Sequence, residues 1–196
     1  DVTTPAYQAL KKKDYVAAYV CLQQLEKQLA EDDATEVGSE IAENRALVFG
    51  VVEAELMGDL RSAVTDVTAL KKIDDVYALS LIIPDLHKKY AGIDIYDSAA
   101  GDLAQQLKSS KTRTDIAAGK KFYRYIENLM KFEAKSKQPR GDRTVKSIQK
   151  SLARIADKYP DSIYGKAAAL AAEELGNSEK SVSRPRDYVR SAAAQP

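Results

Sequence analysis

The chain has 196 residues, of which 44% are hydrophobic and 30% are charged, a balance typical of globular proteins. This length is sufficient for one large hydrophobic core and too short for two large ones. The formal net charge is only +1, so the chain as a whole has no field that favours nucleic acid or an acidic membrane. No stretch approaches the roughly 18 apolar residues that a membrane span requires.

The single cysteine and the single histidine exclude further classes of site. Cys21 has no second cysteine with which to form an intrachain disulfide. One cysteine and one histidine, His87, are too few for an ordinary Cys/His zinc site. Cys21 falls within a helical apolar pattern, which predicts a buried small hydrophobe. His87 lies next to Lys88 and Lys89 without a nucleophile motif, so we expect a surface residue. Glycine-rich phosphate loops are also absent, and no cofactor is expected.

Apolar residues recur at intervals of three and four along most of the chain, which is the period of an amphipathic α-helix. Strict alternation, the pattern of a half-buried strand, is not sustained anywhere. The sequence therefore predicts an all-α protein. The predicted helices, taken in chain order, span residues 5–12, 15–31, 36–57, 60–72, 75–91, 96–109, 114–136, 143–159 and 163–175.

Local signals support several of these boundaries. Pro5 suits a first helical position, Thr35 is a cap for the third helix, and Ser162 is a cap for the ninth. Pro84 lies inside an apolar run, so we expect the fifth helix to be kinked or split there. Residues 137–142 form the clearest interior loop.

The domain organisation predicted from these patterns is simple. Residues 1–176 form a single helical domain. Residues 177–196 lose the apolar period and gain serine, proline and arginine, which predicts a mostly disordered tail.

Two short segments share a pattern that suggests a helix–turn–helix repeat. Residues 10–18 read LKKKDYVAA and residues 56–63 read LMGDLRSA. Each has a leucine, a short turn, an aspartate and then an alanine. We expect the aspartate to cap the second helix and the small alanine to let the two helices approach closely.

A second pair of segments also resembles each other. Residues 158–167 read KYPDSIYGKA, and residues 86–99 read LHKKYAGIDIYDSA. In both, a helix ends at a tyrosine, a short turn follows, and a second tyrosine begins the next helix. The residue before proline is pushed out of helical geometry, so Pro160 should stop the eighth helix at Tyr159.

These turns resemble the inter-helix turn of tetratricopeptide-like proteins, which typically reads L-x-x-G-D-Y-x-x-A. Gly58-Asp59-Leu60 with Ala63 matches this turn, and Asp14-Tyr15 with Ala18 matches it with Lys13 in place of the glycine. The form K-Y-P-D-S-x-Y-x-x-A is similar to turns of bacterial envelope members. The resemblance implies a right-handed stack of antiparallel helical hairpins that holds a protein or peptide, with a periplasmic or secreted location; a cytoplasmic location stays open.

The chain has eleven tyrosines and no tryptophan, which is an unusual aromatic composition. Tyrosine can bury its ring while its hydroxyl remains hydrated, which suits either helix packing or a peptide-binding groove. Phe122-Tyr123-Arg124-Tyr125 is the best groove candidate, because a helical stripe cannot bury Tyr123 and Tyr125 equally. With Lys120, Lys121 and Arg124 beside them, the two tyrosines would favour an acidic or carboxylate-bearing partner.

Other motifs carry less weight. Arg140-Gly141-Asp142 spells an integrin-binding tripeptide in the predicted loop, yet such a tripeptide also arises by chance. The pairs Asp32-Asp33 and Asp74-Asp75 fit helix ends better than chemistry. Adjacent carboxylates such as Glu173-Glu174 do not share a helix face, so they make poor metal or acid–base pairs.

The sequence thus favours a non-enzymatic binding or scaffold module with a helical groove. Two alternatives stay open. The chain is the accessory helical domain of an extracytoplasmic enzyme or redox protein whose catalytic part lies elsewhere, or it is an oligomerising protein that uses an exposed apolar stripe in a symmetric dimer.

Overall fold

A computed structural model describes residues 4–34, 39–135, 143–176 and 182–195. These residues form α-helices and no β-strand, so the all-α prediction is confirmed. None of these helices combines the length and the apolar character needed to cross a bilayer. The helices are α1 (Thr4–Lys11), α2 (Tyr15–Ala34), α3 (Ser39–Lys72), α4 (Val76–Tyr90), α5 (Asp94–Ala100), α6 (Leu103–Gln106), α7 (Ser110–Lys135), α8 (Arg143–Lys158), α9 (Ile163–Gly176) and α10 (Pro185–Ala193).

The chain divides into two compact units, whereas the sequence predicts one domain over residues 1–176. Unit 1 comprises residues 1–68 and 82–104, and unit 2 comprises residues 69–81 and 105–196. The boundaries fall inside α3, α4 and α6, so no linker composition marks them in the sequence.

Unit 1 contains the pair α1 and α2, which pack against each other. Its core also takes residues from the middle of α3. Tyr90 and Tyr96 add an aromatic contact, with ring centroids 6.1 Å apart, and Tyr15 lies 5.1 Å from Tyr90. The fully or nearly fully buried members of the main cluster are Ala6, Leu10, Ala18, Leu22, Val52 and Leu56.

Unit 2 is built from α7, α8, α9 and α10, with α9 packed against each of the other three. The apolar stripe of α8, whose members recur every three to four residues, faces this core. Ring contacts from Phe122 to Tyr164 and Tyr188 tie α7 to α9 and α10. The buried stripe of α8 comprises Val145, Ile148, Leu152 and Ile155.

Two helix–turn–helix connections share one backbone geometry. At the end of α1, Lys13 adopts a left-handed φ of 59° and the Asp14 N–H donates to the Ala9 carbonyl at 2.9 Å. At the end of α3, Asp74 adopts a φ of 52° and the Asp75 N–H donates to the Leu70 carbonyl at 3.0 Å. Both are Schellman-type endings in which a non-glycine residue occupies the left-handed position.

The second copy of this turn is therefore not where the sequence places it. The predicted turn at Gly58 and Asp59 is wrong, because both residues lie in the middle of the 34-residue helix α3. Leu56 and Leu60 are both fully buried, four residues apart, and this burial requires the helical period to continue through Gly58. A glycine in a helix costs only about 1 kcal/mol relative to alanine, which the two leucines outweigh.

The remaining boundaries follow the sequence with local changes. The predicted helix over residues 96–109 is two short helices, α5 and α6, and α4 continues through Pro84 instead of splitting. Ser162 caps α9 as predicted, since its Oγ accepts from the Tyr164 N–H at 3.4 Å. Thr35 and Arg140-Gly141-Asp142 lie outside the described residues.

The predicted disordered tail is wrong where the structure describes it, over residues 182–195. Pro185 begins α10, and the helix packs on α9 and α7. Tyr188, Val189 and Ala192 are buried, and the Tyr188 hydroxyl accepts from the Ser183 N–H at 3.3 Å. Within this short amphipathic helix, Arg186, Arg190 and Ser191 lie on the exposed outer face.

We expect Val189→Ala to lower the free energy of unfolding by about 2 kcal/mol, because Val189 is fully buried in the core cluster of unit 2. Arg190→Ala is the matched control, since its side chain is 70% exposed on the same helix, and it should change stability by less than about 0.5 kcal/mol. Urea unfolding followed by circular dichroism measures both. Equal stability of Val189→Ala and wild type would show that α10 does not contribute to the core.

Candidate functional site

A carboxylate lies at the centre of unit 2. Asp75 is fully buried and is the sole charged residue in the buried class among the described residues. It follows the left-handed Asp74 and precedes α4, so the turn itself carries its side chain inward. Burying a charge is costly unless it is well hydrogen-bonded, so its partners decide what this site is.

Both oxygens of Asp75 are engaged. Oδ1 accepts from the Ala78 N–H at 3.0 Å, which caps α4, and from the Tyr164 hydroxyl at 2.9 Å. Oδ2 accepts a short hydrogen bond from the Tyr123 hydroxyl. The Tyr164 oxygen in turn accepts from the Tyr77 N–H at 2.5 Å. The turn before α4 is thereby joined to α7 through Tyr123 and to α9 through Tyr164.

A glycine in α7 makes this arrangement possible. A Cβ at Gly119 would lie 2.8 Å from the Cζ of Tyr164 and 2.5 Å from the Cβ of Tyr77. Any larger residue would displace the ring that reaches Asp75. The glycine is therefore required by a close approach of side chains and not by its backbone angle.

The two tyrosines are held as neutral donors. Burial raises the pKa of Tyr123 well above its usual range, and the hydrogen bond to Asp75 raises it further. Burial also raises the pKa of Tyr164, followed by the negative charge of Asp75. A neutral phenol donates to the carboxylate, whereas a phenolate would repel it. The cluster of Asp75, Tyr123 and Tyr164 therefore stabilises the fold and offers no exposed group to a substrate.

The predicted groove residues on α7 separate in the structure. Tyr123 is 8% exposed, with its ring in the core and its hydroxyl on Asp75, so the prediction that it anchors a partner is not supported by its position. Tyr125 is half-buried, and Lys120, Lys121 and Arg124 are exposed. As expected, the two tyrosines are not equally buried. Tyr125 is the one whose side chain remains partly exposed.

Tyr125 lines a cleft of about 190 Å³ between α7 and α8. Its walls carry three cationic side chains and no carboxylate. Two cations extend over aromatic rings at the edge of this region: the Arg124 guanidinium lies 5.3 Å from the Tyr125 ring centre, and the Lys158 ammonium lies 5.5 Å from that of Tyr159. The residues that line the cleft are Lys121, Tyr125, Ser151, Arg154, Ile155, Lys158 and Tyr159.

The helical spacing explains why these side chains converge. On α8, residues at positions 151, 154, 155 and 158 are separated by one and two turns and share a face. On α7, Lys121 and Tyr125 are one turn apart. Because α7 and α8 pack against each other, the two faces form one surface that carries both cationic and aromatic groups. Such a surface can bind a carboxylate and the apolar group next to it.

The contribution of α8 was missing from the sequence prediction. Ser151, Arg154 and Lys158 flank the buried stripe of α8, but only the packing of α8 on α7 shows which flank meets Tyr125. Tyr159, predicted only as a residue that closes a helix, contributes an aromatic wall to the cleft.

A second surface of unit 2 has the opposite charge. A cleft of about 380 Å³ is lined by Asp74, Asp115 and Asp161 together with Lys111 and Ser162, among others. Burial raises the pKa of Asp74, and the nearby Asp115 raises it further, whereas Lys111 lowers it. In the described part of the chain, no cluster of three or more histidine, cysteine, aspartate or glutamate residues has the arrangement of a metal site.

We expect Asp75→Asn to lower the free energy of unfolding by about 2–3 kcal/mol, because the amide nitrogen cannot accept from a tyrosine hydroxyl. Asp14→Asn is the matched control. Asp14 caps α2 by the same geometry, accepting from the Ala17 N–H at 3.1 Å, but it is exposed. Asparagine is an equally good cap, so the control should differ from wild type by less than about 0.5 kcal/mol. Equal losses in both variants, measured by urea unfolding, would contradict a special role for Asp75.

The raised pKa values of the buried tyrosines predict loss of stability in alkali. In the unfolded chain a tyrosine phenol ionises with its ordinary pKa of about 10, and the folded state keeps Tyr123 and Tyr164 protonated well beyond that. Stability is therefore full below about pH 10 and falls above it by about 1.4 kcal/mol per pH unit for each such tyrosine. For Tyr188, whose pKa burial raises to about 12, the loss levels off near that pH.

Tyr164→Phe isolates this effect. The variant lacks a hydroxyl on Asp75 and should be less stable than wild type at neutral pH, but it cannot lose stability by ionisation at position 164. The difference between the two proteins should narrow as pH rises above about 10. Urea unfolding at a series of pH values measures it. Stability curves that stay parallel above this pH would contradict the assignment.

Comparisons of this chain with protein-family models, with curated proteins and with solved structures find no match. The tetratricopeptide-like resemblance consequently stays a prediction, and the geometry of the buried cluster and the two clefts is what bears on function.

Proposed function

We propose that the protein is a non-enzymatic binding module that holds an acidic segment of a protein or peptide in the α7–α8 cleft. The observation that carries this proposal is the lining of the cleft, where Lys121, Arg154 and Lys158 surround Tyr125 and Tyr159 without a carboxylate among them. A tetratricopeptide-like scaffold of the bacterial envelope type is consistent with this role, and the shared turn geometry at Asp14 and Asp75 supports a repeated helical hairpin.

The charges define what the cleft would accept. A carboxylate can hydrogen-bond to the Arg154 guanidinium and pair with the lysine ammonium groups. The half-buried rings of Tyr125 and Tyr159 offer apolar area to a neighbouring side chain. A short segment with a carboxylate next to an apolar residue therefore satisfies both kinds of group, whereas a basic segment would meet like charges.

The chemistry around the cleft favours binding over catalysis. Among the residues that line it, Ser151 carries the sole aliphatic hydroxyl, and this hydroxyl donates to the Ser147 carbonyl at 2.9 Å. No histidine or carboxylate in the lining can act as its base. The buried Asp75 cannot serve this role either, because both of its oxygens are satisfied within the core.

We expect a fluorescein-labelled hexapeptide of alternating glutamate and leucine to bind the wild-type protein, with fluorescence polarisation as the readout. Arg154→Ala should weaken binding by about tenfold, because it removes a bidentate donor from the centre of the cleft. Lys150→Ala is the matched control: it removes an exposed cation from the same helix, one turn away, that is not part of the lining. It should leave the affinity nearly unchanged.

Raising the salt concentration should weaken the interaction, since part of it is screened charge attraction. Amidating the carboxyl end of the peptide distinguishes a terminal carboxylate from glutamate side chains as the recognised group. Equal binding by the Arg154→Ala and Lys150→Ala variants would place the interaction outside the cleft and contradict the proposal.

A further inference from the structure

The outer face of α3 carries apolar side chains that nothing in the described structure covers. Leu47 is 67% exposed and Val51 is 51% exposed. They lie on the face of the helix opposite to the fully buried Val52, Leu56 and Leu60. Single exposed apolar residues are common on protein surfaces, so the arrangement of the neighbouring residues decides whether this face has a partner.

The exposed face has the spacing of a helix-pairing seam. Starting from Asn44, exposed residues recur at alternating intervals of three and four along more than four turns, which is the spacing of the core positions of a coiled coil. The spacing keeps them in one line along α3. The residues of this seam are Asn44, Leu47, Val51, Ala54, Gly58 and Arg61, and all are exposed.

The seam is complementary to itself in the antiparallel direction. Its large apolar residues, Leu47 and Val51, lie toward one end, and its small residues, Ala54 and Gly58, lie toward the other. If a second α3 is laid on the first with reversed polarity, Leu47 of each copy lies over Gly58 of the other, and Val51 lies over Ala54. An added Cβ at Gly58 would meet no atom of the described residues within 4 Å, so the space that Leu47 would enter is open there.

The charges at the ends of the seam fit the same register. Glu43 flanks the seam beside Asn44, Arg61 is the last residue of the seam, and both are exposed on the same side of α3. In the antiparallel arrangement, Glu43 of each copy lies nearly level with Arg61 of the other, giving an ion pair at both ends. A parallel arrangement would instead put Glu43 against Glu43 and Leu47 against Leu47, with like charges opposed and the glycines unfilled.

We propose that two copies of this chain associate through α3, packed antiparallel along the seam from Asn44 to Arg61. The contact is isologous, since each copy contributes the same residues to both halves of the interface. The seam spans about 26 Å of helix, which is short for a stable dimer, so the association is weak and depends on protein concentration. It involves unit 1 and is independent of the function proposed for the cleft in unit 2.

Sedimentation equilibrium of the full chain over a range of concentrations up to about 0.5 mM tests this proposal. We expect a reversible monomer–dimer equilibrium for wild type. Leu47→Glu should weaken it by at least about tenfold, because the carboxylate would be buried against Gly58 of the second copy. Leu81→Glu is the matched control, since Leu81 is 58% exposed but lies on α4 and is not a residue of the seam.

A charge exchange tests the direction of packing. Glu43→Arg and Arg61→Glu should each weaken association, and the double variant should restore it, because the two residues meet only between copies. Gly58→Leu should abolish the dimer without weakening the monomer, since leucine favours a helix over glycine and the position is open.

Several outcomes would overturn the proposal. A wild-type protein that is monomeric at every concentration would do so, as would equal effects of Leu47→Glu and Leu81→Glu. A double charge variant weaker than both single variants would rule out the antiparallel register. Circular dichroism of each variant confirms that a loss of association is not a loss of folding.

Discussion

The buried carboxylate of Asp75 is the constraint on which unit 2 depends. A charge removed from water must find donors, and here they come from a backbone amide of α4 and from hydroxyls on α7 and α9. No cation compensates it in the buried class among the described residues. The site therefore relies on two neutral tyrosines in fixed positions, which makes the packing of three helices mutually dependent.

This arrangement also limits which side chains of unit 2 a ligand could reach. Tyr123 and Tyr164 are used internally, so the polar chemistry available to a partner lies on the outside of the same helices. On α7, successive tyrosines divide these roles: Tyr123 supports the core, and Tyr125, two residues later, faces the cleft with Lys121. The binding surface that we propose is thus built on an element whose position the buried cluster fixes, which favours a preorganised site.

The sequence predicted the helices well wherever an apolar stripe was strong, as in α8 and α9, and it identified Asp14 and Ser162 as caps. It was wrong at Gly58, where burial of the flanking leucines overrides a local turn signal, and at the C-terminal residues, where a short helix is stabilised by packing on α9. The role of Asp75 was visible only in part. Its position at a helix start was predicted, but its tyrosine partners are 48 and 89 positions away, and only the tertiary packing brings them together.

Gly119 affects how unit 2 unfolds locally. Glycine is a weak helix former, so the middle of α7 gains little order from its own backbone, and the ring of Tyr164 occupies the space that a side chain would fill. If α9 separates, α7 loses a contact at the residue least able to remain helical alone. The two helices should then exchange their amide hydrogens with solvent as one cooperative segment, although a full helix, α8, lies between them in the chain.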